Sequence, residues 1–142
     1  MDGGRGSDGT AARGPALVVV ADLLVRQQLV EGLAAAGFEP VVAAGPGALR
    51  ERLDRVRPAV VLVDLELRTL DPIEAIRQLK DDAPTAGVPV LGVAGHRSTV
   101  LRERALAAGC DRVATRGEAA ARLDRLLARL VGAPGASSTP SA

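Results

Sequence analysis

Apolar residues fall along this chain in two rhythms: short unbroken runs, and stripes spaced by three or four positions. Ala16-Leu17-Val18-Val19-Val20, Ala59-Val60-Val61-Leu62-Val63 and Val88-Pro89-Val90-Leu91-Gly92-Val93-Ala94 are runs of strand length, rich in β-branched residues. A run that is apolar at consecutive positions reads as a strand buried on both faces. Phe38-Glu39-Pro40-Val41-Val42-Ala43 and Asp111-Arg112-Val113-Ala114 are shorter strands. Between them lie helical stripes: Val25, Leu29, Leu33 and Ala36; Leu49, Leu53 and Val56; Ile73, Ile76 and Leu79; Leu101, Ala105 and Ala108; Leu123, Leu126, Leu127 and Leu130.

Turn and cap residues mark the joints. Gly37 ends the first helix as a left-handed cap, and Gly109 stops the fourth. Gly45-Pro46-Gly47 turns the chain ahead of a helix from Ala48 to Val56. In Asp71-Pro72-Ile73-Glu74 an Asp cap, a Pro at the first helical position and a Glu three residues after the cap start the third helix. Ser98 or Thr99 caps the fourth, and the last runs from about Glu118 to Leu130.

Strand and helix alternate five times with short connections, which calls for a parallel sheet with helices on both faces and right-handed crossovers. Pro40 removes a ladder donor, so the second strand belongs at an edge. The expected fold is therefore a flavodoxin-like, doubly wound α/β domain of five strands in the order 2-1-3-4-5. The domain should occupy residues 15–131. The Gly-rich segment 1–14 and the Ala-, Ser- and Pro-rich segment 132–142 read as disordered tails.

Composition narrows the function. Phe38 is the single aromatic, which leaves little for base stacking or an aromatic-lined pocket. Eighteen basic against 17 acidic residues give a net charge of +1, so no bulk field draws in nucleic acid or an anionic membrane. One cysteine, Cys110, forms no internal disulfide and fits a reducing compartment. The first residues lack the apolar core of a signal peptide, and no apolar run is long enough to span a bilayer. A cytoplasmic location is expected.

Chemistry in open α/β sheets collects at the carboxyl ends of the strands. Asp64 ends the third strand, and the predicted order brings Ala21-Asp22, after the first, next to it. Two acids there suit Mg²⁺, which takes one or two carboxylates plus waters and phosphate oxygens. The plain alternative is that both aspartates close strand-to-helix turns, as aspartate commonly does.

Val60-Val61-Leu62-Val63-Asp64, Asp71-Pro72-Ile73-Glu74-Ala75-Ile76-Arg77, Val88-Pro89-Val90-Leu91 and Ala107-Ala108-Gly109-Cys110-Asp111 together resemble the receiver domain of bacterial two-component response regulators. The resemblance implies a phosphorelay signalling domain rather than an enzyme. It makes Asp64 the phosphoacceptor and Asp22, Asp64 and Glu66 the Mg²⁺ site, Glu66 through its backbone carbonyl. It also implies protein partners: a histidine kinase, and a downstream target on the face of the fourth helix, fifth strand and fifth helix. Neither nucleic acid nor membrane is expected as a partner.

Departures from the receiver pattern fall on the chemistry. The usual pair of acids reads Ala21-Asp22, the hydroxyl residue after the fourth strand is Ala94, and the switching aromatic of the fifth strand is Val113. The usual lysine is Arg116, and Lys80, the one lysine, lies on the third helix. Guanidinium is planar and bulkier than ammonium, so that exchange is not conservative at a tight site. His96, with no second histidine or adjacent cysteine, reads as a surface residue. Two readings follow: a phosphorylated receiver, or a pseudo-receiver that binds proteins without phosphorylation. Nothing resembling a phosphate-cradling loop supports a nucleotide enzyme.

Overall fold

The computed structural model describes residues 13–132, so the expected tails lie almost entirely outside the described residues. The elements are β1 (Pro15–Val19), α1 (Leu23–Ala35), β2 (Glu39–Val42), α2 (Pro46–Arg55), β3 (Val60–Asp64), α3 (Pro72–Asp81), β4 (Val90–Ala94), α4 (Thr99–Ala107), β5 (Arg112–Thr115) and α5 (Arg116–Val131). The five strands form one sheet in the order β2-β1-β3-β4-β5, and every pairing is parallel. This is the predicted topology. Pro40 stands on the edge strand, where its missing N–H leaves no central ladder broken.

Two apolar layers sandwich the sheet. One holds Leu29 and Leu33 of α1, Phe38, and Leu123, Leu126 and Leu127 of α5 against Val18, Leu62 and Leu91. The other holds Ile73, Ile76 and Leu79 of α3 and Ala105 of α4 against Leu17, Val61 and Val63. All five residues of β3 are buried, and so are all five of β4. The unbroken runs were apolar because each alternate residue enters a different layer.

The joints explain where the boundaries moved. Gly37 and Gly109 have φ of +97° and +110°, as their cap roles require. Asp71 Oδ1 accepts from the backbone N–H of Ile73 and Glu74, each at 3.1 Å, the cap read from the sequence. α2 begins at Pro46 rather than Ala48, because Gly45 is its cap and Pro46 takes the first helical position. α5 begins at Arg116 rather than Glu118: Thr115 and Glu118 form a reciprocal capping box. At the amino edge, Arg13 donates to Ala36 O at 3.2 Å and Gly132 O at 2.6 Å, tying both ends of the described chain to α1.

Candidate functional site

Sheet register brings the functional residues to one edge. Asp64 pairs with Val93 on β4, and Ala94 pairs with Thr115 on β5. The residues that follow, Gly95 and Arg116, therefore leave the sheet beside Asp64. Asp64 is only 4% exposed. Its Oδ1 accepts from the backbone N–H of Glu66 at 2.9 Å, and its carbonyl accepts from Leu67 N–H at 3.1 Å, so the chain turns tightly over its own carboxylate.

That turn aims Glu66 across the sheet edge. Glu66 Oε2 accepts from Gly95 N–H at 2.7 Å and from the Ser98 hydroxyl at 2.9 Å. Arg116 Nη2 stands 3.4 Å from Glu66 Oε1 and 3.6 Å from Asp64 Oδ1. The result is one network of Asp64, Glu66, Arg116, Gly95 and Ser98. A Cβ on residue 95 would lie 3.1 Å from Glu66 Oε2, so glycine there is what lets the carboxylate approach the backbone.

The Gly95 N–H, then the Ser98 hydroxyl and the Arg116 charge, hold the Glu66 carboxyl below its ordinary range against the opposing effect of burial. A carboxyl whose folded pKa is depressed contributes stability above its unfolded pKa and loses it as pH falls through the folded one. Thermal melts of wild type and Glu66→Gln, taken from about pH 7 to about pH 3, should differ most at the upper end and converge toward the lower. A gap that stays constant over that range would mean that the ionised carboxylate contributes nothing.

The predicted site residues divide into two groups. Asp64, Glu66 and Arg116 come together. Asp22 does not join them: it is exposed and caps α1, its Oδ1 accepting from Val25 N–H at 3.0 Å. The expected ligand set of Asp22, Asp64 and Glu66 is therefore corrected, since a helix cap engages one acid and a guanidinium stands beside the other two. Among the described residues no three acids, histidines or cysteines are grouped to hold an ion. Arg116 is the cation that Asp64 and Glu66 face in this structure.

Ala94 and Val113 are buried in the apolar layer that contains α3 and α4. His96 is exposed. Lys80 lies at the opposite edge, its Nζ donating to Val88 O and Asp111 Oδ2, each at 2.8 Å. Ser98 does precede α4, but its hydroxyl goes to Glu66 and makes no capping bond. The roles of Gly95 and Ser98 were missed; the one signal for them was the pair of small residues around the fourth helix start. No helix among the described residues is long and apolar enough to cross a membrane.

No protein-family model matches the chain, and no curated protein does. Solved structures do. The receiver domain of a sensor histidine kinase from Pseudomonas aeruginosa PAO1, with magnesium coordinated in its active-site cleft, superposes with a TM-score of 0.74. It is 23% identical, over 84% of this chain and 98% of that one. The fold is that of receiver domains. Vibrio cholerae chemotaxis protein CheY4 is similar at a TM-score of 0.73 and 19% identity, over 82% of this chain and 97% of that one. NtrX from Brucella abortus is similar at a TM-score of 0.74 and 22% identity; the match spans 82% of this chain but 26% of that one. The receiver fold thus accounts for the sheet order and the edge on which Asp64 lies.

Proposed function

We propose that this chain is a receiver-like signalling module that binds a protein partner without being phosphorylated. The observation that carries this reading is that charged groups of the chain already stand beside Asp64: Glu66 lies on Gly95 and Ser98, and Arg116 faces both carboxylates. A divalent cation would have to enter beside a guanidinium, and hard cations depend on charged oxygens. The switch positions also point away from phosphorylation. Ala94 has no hydroxyl to draw toward a phosphoryl group, and Val113 is a packed aliphatic residue in the core. A ligand shifts a conformational equilibrium only by its difference in affinity for the two states.

A second reading has one specific observation in its favour. Both contacts to Asp64 noted above fall on Oδ1, which leaves Oδ2 to accept a phosphoryl group from a histidine kinase. Hydrogen exchange with and without Mg²⁺ and beryllofluoride separates the two. The first reading expects little change in residues 97–116, and a partner that binds Asp64→Asn as it binds wild type. Strong protection confined to 97–116 would establish the second reading instead, with α4, β5 and α5 as the responding face.

A further inference from the structure

A groove of about 530 Å³ runs between α2 and α3, from Pro46 and Asp71 at one end to Arg57, Asp82 and Thr85 at the other. It follows from how α2 is packed. α2 carries the stripe Leu49 and Leu53, yet none of its residues is fully buried, whereas α3 buries five. Phe38, the one aromatic of the chain, lies in the layer on the other face of the sheet. No bulky ring is there to close the space, so Leu49, Leu53, Ala75 and Leu79 form an open apolar floor.

The two walls differ in charge. The α2 side carries Arg50, Asp54 and Arg57, so its bases are partly offset. The α3 side carries Asp71, Glu74 and Asp82, with no base among the lining residues. Glu74 meets Arg77 at 2.7 Å, but both side chains are about half exposed, and such a pair is worth little. A basic occupant is the one that the α3 wall favours.

Shape and backbone chemistry select a helix. α2 and α3 have ten residues each, so the groove is about 15 Å long and suits an occupant of about three turns. Helix backbones are bonded within themselves, so neither wall offers the free edge that an added strand needs. The ends of this chain are poor fillers: Met1 is the one large apolar side chain in residues 1–12 and 133–142.

We infer that this groove takes an amphipathic helix of a protein partner, with its apolar face on Leu49, Leu53 and Leu79 and its basic flank against the α3 acids. The inference rests on the reading of a protein-binding module and names the partner's chemistry. The groove lies outside residues 97–116, so docking there needs neither a change at α4 and β5 nor a phosphoryl group on Asp64.

The test is a titration of the full chain, followed by amide NMR, with a stapled helical peptide of about three turns bearing Leu on one face and Arg on one flank. A twin peptide carries Glu in place of each Arg. The basic peptide should give saturable shifts at Leu49, Leu53, Gln78 and Leu79, and should bind at least about tenfold more tightly than its twin. Glu74→Lys combined with Asp82→Lys should reverse that preference; both side chains are exposed and outside the core. Should the double variant fail to fold, Asp82→Lys alone should narrow the preference, and a lysine suits the end of a helix. Equal binding of the two peptides to wild type would overturn the inference, as would no shifts or shifts confined to 97–116. Groove shifts that grow with protein concentration in the absence of peptide would give the groove to a second copy, and would overturn it too. Neither Mg²⁺ nor beryllofluoride enters this titration, so its failure leaves phosphorylation-independent binding at another face standing. Strong protection of 97–116 in the exchange experiment would remove that reading and leave the groove standing.

Discussion

Arg116→Ala should destabilise the domain by about 1–3 kcal/mol in urea unfolding, and adding Asp64→Asn should recover most of that loss. Arg116 is the cation 3.6 Å from Asp64 and 3.4 Å from Glu66. Removing it leaves two neighbouring carboxylates, one of them 4% exposed. Breaking a fully buried pair costs about 3–5 kcal/mol. Here the Arg116 side chain is 39% exposed and both contacts are long, so solvent screening sets the effect lower. The double-mutant cycle decides between lost charge balance and lost packing. The amide oxygen that Asp64→Asn introduces can still accept from Glu66 N–H, so this substitution removes the repulsion and keeps the turn. Strictly additive losses would mean that Arg116 acts through its hydrocarbon stem alone.

Phe38→Ala should cost more, about 3–5 kcal/mol. Phe38 is 1% exposed, the single aromatic of the chain, and packs in the layer formed by α1 and α5. That layer is otherwise aliphatic, so no other side chain has the volume to fill the space. Arg13 also loses its partner: its guanidinium lies 4.6 Å above the ring, a contact that adds about 0.5–1 kcal/mol where exposed. Phe38→Leu should recover much of the loss by refilling the cavity. A cost below about 1 kcal/mol for Phe38→Ala would mean that the layer collapses around the gap.

Gly37 and the three long apolar runs were legible because each states a local requirement: a left-handed backbone that ends a helix, or burial on two faces. Asp71-Pro72-Ile73-Glu74 was legible for the same reason, since a cap and its donors lie within three residues of one another. The capping box of Thr115 and Glu118 was equally local, and the helix start was still placed two residues late. The short strand was read to end at Ala114, which put Thr115 in a loop.

By itself the sequence determined a parallel sheet in the order 2-1-3-4-5, with Asp64 on its carboxyl edge. Alternating strand and helix patterns admit few other arrangements, and Pro40 places the second strand at an edge. Only the tertiary structure decided what surrounds Asp64. Asp22 had two roles open, cap or ligand, and the structure shows it as the cap, accepting from Val25 N–H at 3.0 Å. Glu66 was expected to act through its carbonyl alone, and its carboxylate had no visible role because that group's partners stand 29, 32 and 50 positions away. A side chain's choice between water and distant donors depends on where the edges of three strands meet, and that position exists only once the sheet has closed.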